Sequence, residues 1–435
     1  MLKIAKFGGS SLANHQQFQK VKQIIEQDPL RKVVVVSAIG RRDARDAKLT
    51  DLLYLLHAHL MYSVPYEPVL AMIEERFLEI KEALHLSIDI KKQLLALKKE
   101  LNKQISLDYL VSRGEYFTAQ MMAEYINFAF VDASELVFFY FDGSIDYEKT
   151  ENAIRKAFQE HEQMVVPGFY GVYPNGAIRI MARGGSDITG SIMARSLSAT
   201  VYENWTDVSG LLMADPRIVV SPKRIAQITY EELRELAYMG ANVLHEETIF
   251  PIQDMNIPIV ILNTNDAFNP GTIITQVGDD TTQVITGIAG KKHFASFTIT
   301  KHNGSSKTKL MREILALFES YHINVEHIPS SIDSFSIVVL QAELDKVIYD
   351  IASSIKNRSD VKNLTIDQDI ALVAIVGRNM VTRPGISGKI FAVIGNEGIN
   401  IKMIAQGSNE LNIIVGISNE HFEKTICALY QHLVV

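Results

Sequence analysis

The apolar run Leu2 to Ala5 breaks at once into Lys6-Phe7-Gly8-Gly9-Ser10-Ser11, and apolar residues at helical spacing, Phe18, Val21, Ile24 and Ile25, begin a few positions later. A strand, a glycine turn and a helix start, followed by Pro29 and the buried-strand run Val33 to Val36, commit the chain to a βαβ beginning and hence to an α/β sheet. The same corner makes an anion site. Gly8 and Gly9 let backbone N–H groups approach a phosphate, the helix N-terminus adds positive dipole, and Lys6 adds a full charge. No G-x-x-x-x-G-K-S/T occurs in the sequence and no G-x-G-x-x-G follows Ile4, so the turn is neither a P-loop nor a dinucleotide fingerprint. Glycine also serves strand-to-helix corners for steric reasons alone, and on this segment by itself both readings stand.

From about Leu49 to Leu110 the pattern is almost wholly helical, with Leu52, Leu53, Leu56, Ile73, Phe77 and Ile80 on apolar faces, a helical excursion from the sheet. Short apolar runs return at Phe128 to Val131, Met164 to Gly168, Ile178 to Met181 and Pro258 to Leu262, which suits an α/β sheet with its loops gathered at one edge. A helix begins near Tyr230, and by about Val284 this first unit is complete. The rest of the chain contains a duplication. Leu310, Ile314, Phe318, Ile323, Asn324, Val325 and Ile337 to Val339 line up with Ile386, Ile390, Ile394, Ile399, Asn400, Ile401 and Ile413 to Val415 at a constant offset of roughly 76 residues. Each copy reads as a small βαββαβ module that needs its twin or a second chain to cover its apolar surface. The expected division is 1–283, 284–365 and 366–435, with insertion of one module in the other left open.

A length of 435 residues fits two or three domains, and a net charge of -7 with scattered basic residues argues against a nucleic-acid or membrane-surface partner. The single cysteine, Cys427, cannot form an intrachain disulfide or anchor a metal cluster, and no metal site is expected from it. A reducing compartment, the absence of a signal-like N-terminus and the absence of a bilayer-length apolar stretch together predict a cytoplasmic protein.

Four further segments combine charge with glycine or small residues where the sheet-edge loops belong: Ser112 to Glu115, Ala182 to Asp187, Thr206 to Gly210, and Ala214 to Arg217 with Lys223 just after. Each has a plain structural reading as a turn or capped helix; Ser186 or Asp187, for example, would cap a helix. Together with Lys6 to Ser11, Gly240 to His245, Asn269 to Thr272 and Gly385 to Ile404, they resemble the aspartokinases, members of the amino-acid-kinase superfamily that carry two C-terminal ACT regulatory domains. The resemblance spans nearly the whole chain in the expected order. It implies an αβα sandwich with a mainly parallel sheet, followed by two ferredoxin-like βαββαβ ACT modules. It also implies transfer of the γ-phosphoryl group of ATP, with Mg²⁺, to the side-chain carboxylate of L-aspartate. That acceptor, with a reference pKa of about 3.9, is already ionised at neutral pH, so positioning and charge neutralisation carry the rate and no general base is required.

By resemblance, Lys6 and Lys223 contact the phosphates, Gly8, Gly9 and Ser10 cradle them, and Asp187 orients the lysines. Arg183 grips the α-carboxylate of aspartate, Glu115 takes its amino group, Thr50 and Ser186 complete the substrate site, and Thr206, Asp207, Asp215 and Arg217 line the nucleotide pocket. Thr50 also reads as an ordinary cap before a leucine-rich helix. Ser209 stands where many members carry aspartate, and Ile39 where proline or methionine is frequent. The ACT modules imply allosteric control by lysine, threonine or both, with Asn324, Glu326, Ser330, Asp333 and Asn400 as effector candidates. Thr308-Lys309 replaces a glycine common before the first module's helix, which sets an extra ammonium against a lysine effector. A homodimer or higher homo-oligomer through the ACT modules is expected. Two alternatives remain at this stage: a non-catalytic amino-acid sensor, and a kinase of another carboxylate or carbamate acceptor.

Overall fold

Ile4, Ala5 and Phe7 are fully buried because β1 (Lys3–Phe7) runs through the middle of an eight-stranded sheet. The computed structural model describes residues 1–182, 184–241, 251–279, 284–407 and 409–434. These fall into two compact units, one of Met1–Leu211, Ala226–Tyr230 and Val243–Asp279, the other of Leu212–Ile225, Glu231–Asn242 and Asp280–Val435.

In the first unit, Asn14 accepts a hydrogen bond from the Gln17 N–H and starts α1 (His15–Glu26), which buries Phe18, Val21, Ile24 and Ile25. The chain then enters β2 (Arg31–Val36), parallel to β1, so the βαβ beginning forms as expected. The helical excursion is α2 (Leu49–Tyr62), α3 (Glu67–Ala83), α4 (Ile90–Glu100) and α5 (Leu107–Ile126). Its apolar faces share one core with Phe7, Val34 and Val36 of the central strands.

There follow β3 (Ala129–Phe130), α6 (Tyr147–Glu160), β4 (Met164–Pro167), β5 (Tyr170–Val172), β6 (Ile178–Ile180), α7 (Gly185–Ser196), β7 (Val201–Thr206), β8 (Gln227–Thr229), β9 (Ile259–Asn263) and β10 (Thr272–Thr275), while α8 (Tyr230–Tyr238), between β8 and β9 in sequence, belongs from Glu231 onward to the second unit. The sheet order is β3-β4-β2-β1-β7-β9-β10-β8, parallel throughout except where β10 meets β9.

One expectation needs correction, and one strand carries little sequence signal. The run Ile178 to Met181 does not join this sheet; β6 folds back on β5 as a separate two-stranded antiparallel hairpin, turned by Asn175-Gly176. In contrast β7, next to β1 in the sheet, gives little apolar signal because Glu203 and Asn204 interrupt it. Both are buried, and Glu203 is neutralised there by Arg31 at 2.7 Å and accepts the Trp205 indole N–H at 2.9 Å.

The second unit carries β11 (Gly287–Lys301), α9 (Lys307–Ser320), β12 (Ser334–Leu340), α10 (Ile348–Lys356), β13 (Val361–Val376), α11 (Ile386–Asn396), β14 (Met403–Gln406), β15 (Asn412–Ile417) and α12 (Phe422–Leu433). The duplicated modules share one antiparallel five-stranded sheet, β12-β11-β13-β15-β14, instead of forming two sheets. The long strands β11 and β13 run through both copies. The register shifts between Lys291 and Phe294, so Gly287 to Lys291 pair with Val376 to Leu372 beside β15, while Phe294 to Lys301 pair further along β13, beside β12. The expected strand around Ile323 to Ile328 is reduced to isolated bridges such as His327 with Val338, whereas its repeat partner forms β14. Phe297, Ile299, Leu310, Ile314, Phe318, Ile337 and Ile351 form the core of the first copy.

Candidate active site

At the C-terminal ends of β1, β2 and β7, a cavity of about 590 Å³ opens, bounded also by the starts of α2 and α7 and by the middle of α5. This is where a parallel sheet presents its loops to a ligand. Lys6, Gly8, Gly9, Ser10, Thr50, Glu115, Ser186, Asp187, Thr206 and Asp207 all line it.

Lys6 is the last but one residue of β1, 6% exposed, and its ammonium is ion-paired with Asp187. Asn204 on the neighbouring strand ties the two together: its Oδ1 lies 3.4 Å from the Lys6 Nζ, and its Nδ2 donates to Asp187 Oδ1 at 2.9 Å. Asp187 sits in the first turn of α7, where the helix dipole favours a carboxylate. The expectation that Ser186 or Asp187 caps this helix is corrected. Gly184 is the cap, at φ +79°, and no side chain serves there. Both side chains are thereby left to line the cavity.

The glycine turn is held by a second backbone. The Gly40 N–H donates to the Gly9 carbonyl at 2.9 Å, and a Cβ at Gly40 would lie 2.2 Å from that oxygen, so only glycine fits.

Glu115, in the middle of α5, is 3% exposed, and its Oε2 has no hydrogen-bond partner among the described residues. Burial pushes its carboxyl up to about 8, opposed by the Ala38 N–H that donates to it. A buried carboxyl with an open oxygen on a cavity wall is suited to an incoming cation. Thr50 is not a cap. Lys48 precedes α2 without side-chain capping, and the Thr50 hydroxyl makes no hydrogen bond among the described residues while it lines the cavity.

Arg183 and the stretch 242–250, which includes His245, lie outside the described residues. Asp215, Arg217 and Lys223 belong to the second unit and are not among the lining residues. Arg217 forks onto Asp215 at 2.6 to 3.0 Å, and Lys223 donates its side chain to the Val434 carbonyl at 2.8 Å and its backbone N–H to the Tyr430 hydroxyl at 2.6 Å. Sequence reasoning did not assign Ser37 to Arg41, Asp43, Lys48 or Phe169, all of which line the cavity. The available signal was their position directly after the buried strands β2 and β4.

The effector candidates are dispersed. Asn324 lines a separate cavity of about 850 Å³ along α9, with Thr308, Met311 and Arg312, and its N–H donates to Glu343 at 2.8 Å. Glu326 accepts from the Tyr238 hydroxyl, and Asp333 pairs with Lys301 at 3.1 Å. Ser330 and Asn400 are exposed and do not line that cavity. Thr308 and Lys309 lie in the first turn of α9 and not before it, and Ser306 caps that helix by accepting the Lys309 N–H at 3.3 Å.

Comparison with known proteins places the geometry in context. Residues 1–263 match the model of the amino acid kinase family, and residues 373–433 match an ACT domain. The chain is 31% identical to aspartokinase 3 of Bacillus subtilis over 99% of this chain and 98% of that protein. Its structure resembles the crystal structure of Clostridium acetobutylicum aspartate kinase at a TM-score of 0.93 and 44% identity, covering 99% of each chain. Aspartokinase III of E. coli, solved with aspartate and ADP, shares the fold at a TM-score of 0.76 and 23% identity over the full length of both.

Proposed function

The chain belongs to the aspartokinases of the amino acid kinase family, and from that premise we propose how its cavity works and what controls it. The enzyme phosphorylates the side-chain carboxylate of L-aspartate to 4-phospho-L-aspartate, the first step toward lysine, threonine and methionine, and is regulated allosterically through its ACT region.

The phosphoryl donor is ATP. Gly9 and Ser10 offer backbone N–H groups to its phosphates, Gly8 lines the cradle with its own N–H held by the Trp205 carbonyl at 3.0 Å, and Lys6 supplies positive charge as the γ-phosphoryl group moves. Asp187 and Asn204 hold the lysine in that place until substrate arrives. Thr206 and Asp207 border the nucleotide. Glu115 receives the substrate ammonium, Arg183 its α-carboxylate, and Thr50 and Ser186 the acceptor carboxylate. Bringing two anions together is the main electrostatic obstacle, and fixed donors with little reorganisation lower it. Among the described residues no three acidic, histidine or cysteine side chains gather as a metal cage. The cavity fits a Mg²⁺ ion carried largely by the nucleotide phosphates, with Asp187 and Asp207 as the acids available to it. When bound, that ion offsets polyphosphate charge.

Asp215, Arg217 and Lys223, nucleotide residues by resemblance, are engaged within the second unit, so the present assignment rests on Lys6, Gly8 to Ser10, Thr206 and Asp207. Lysine, threonine or both act as effectors, the enzyme is a homo-oligomer, and it works in the cytoplasm. No helix among the described residues is long and apolar enough to cross a membrane. The register shift in β11 supports insertion of the first module within the second, with Gly287 to Lys291 belonging to the second module and the first starting near Phe294.

The observation that carries this reading is the orphaned Glu115 oxygen in the cavity that also holds Lys6 and the glycine turn. A coupled assay of ADP release tests it: aspartate should drive turnover well above the rate with glutamate, carbamate or no acceptor. Equal rates with and without aspartate would point to a sensor.

A further inference from the structure

Arg76 lies on α3, in the helical excursion, yet it is 3% exposed and spends its guanidinium entirely on the loop after β2. One nitrogen donates to Asp46 Oδ2 at 2.6 Å and to the Ala47 carbonyl at 3.1 Å, and the other donates to the Gly40 carbonyl. A second tie from the same helix pairs Glu79 with Arg42 at 2.9 Å, and Asp46 also accepts the Arg42 N–H at 2.9 Å. The loop so clasped contributes Gly40, Arg41, Asp43 and Lys48 to the cavity wall.

The clasp meets the glycine turn through one residue. Gly40 accepts from Arg76 on its carbonyl and donates its own N–H to Gly9 at 2.9 Å. The Gly40 carbonyl and the Arg41 N–H belong to one trans peptide, so fixing the carbonyl on Arg76 turns that N–H to the opposite side. Arg41 and Lys48 add two cations to the wall beside a turn suited to phosphates.

We propose that Arg76 is a positioning residue for nucleotide binding, holding the 40–48 loop against Gly9 so that the Gly8–Ser10 cradle and the Arg41 and Lys48 charges face the polyphosphate together. This rests on the aspartate kinase reading of the same cavity.

The test is steady-state kinetics with ATP and aspartate on the full chain, comparing wild type with Arg76→Ala and Arg76→Lys, each with and without millimolar guanidinium. Arg76→Ala should raise the KM for ATP about tenfold or more, the scale expected for lost charge-assisted hydrogen bonds, while the KM for aspartate moves less. Guanidinium should return the ATP KM toward wild type. Arg76→Lys should fall between, because an ammonium cannot reproduce the fork. A merely structural role would lower the folded fraction and leave the ATP KM within twofold of wild type, and that result overturns the proposal. Should Arg76→Ala fail to fold, Arg76→Lys and Asp46→Asn carry the same comparison. If wild type gives no aspartate-dependent turnover, the aspartate reading falls. The dissociation constant of ATP on the same variants then decides Arg76 separately.

Discussion

Replacing Glu115 by glutamine keeps the shape of the side chain and removes its ability to ionise, which separates its two effects. In the ligand-free protein, burial raises the carboxyl from 4.5 to about 8. The native state therefore holds a proton that the unfolded chain releases between those values, and stability falls as pH rises through that window. Linkage puts the loss at about 3 kcal/mol at pH 7 and about 5 kcal/mol by pH 9, relative to acid conditions where both states are protonated. Glu115→Gln escapes this loss. Its melting temperature should match wild type near pH 4 and exceed it increasingly toward pH 9. Aspartate binding works in the opposite sense, because the substrate ammonium favours the ionised carboxylate. Wild type should release up to one proton on binding aspartate below pH 8, and its affinity should rise with pH. Glu115→Gln should release none, and its KM for aspartate should rise by about 30- to 100-fold, the scale for losing a buried charge pair, with ATP affinity little changed. Calorimetry in buffers of different ionisation enthalpy, thermal melts across pH and initial-rate kinetics measure all three. Parallel pH–stability curves for the two proteins, or an unchanged aspartate KM, would refute the reasoning.

Lys6→Met should lower kcat by about 100-fold or more with smaller changes in either KM, since its charge is needed most as the phosphoryl group transfers; stopped assays of phosphoaspartate formation measure this. Thr50→Val should raise the aspartate KM by about fivefold without changing the melting temperature, because the hydroxyl makes no internal hydrogen bond among the described residues. Gly40→Ala should cost about 1–3 kcal/mol in denaturant unfolding and weaken ATP binding, because its Cβ would lie 2.2 Å from the Gly9 carbonyl oxygen.

Where side-chain periodicity reports the fold, the sequence was legible: the βαβ start, the helical excursion and the repeat in the C-terminal part all follow from which residues are buried. It was less legible where polar groups are buried in pairs. Strand β7 is hidden by Glu203 and Asn204, whose cost is met by Trp205 on the same strand and by Arg31 and Asp187 from other elements. Strand sharing was also invisible, because a repeat aligned residue by residue does not say that β11 and β13 each pass through both copies. In the site, Lys6, Glu115 and Asp187 stood out through their motifs and meet in one cavity. The 40–48 loop has no periodicity to read, and Arg76 looks like one more surface charge beside Glu74, Glu75 and Glu79. Only the fold shows that it points inward.

The most direct test of the central claim is a crystal structure of this chain with aspartate and ADP bound together. The account predicts the aspartate ammonium on Glu115 and the nucleotide phosphates along Gly8 to Ser10, with Lys6 between the two ligands. Ligands bound elsewhere, with Lys6 still paired to Asp187 and the Glu115 oxygen still without a partner, would contradict it.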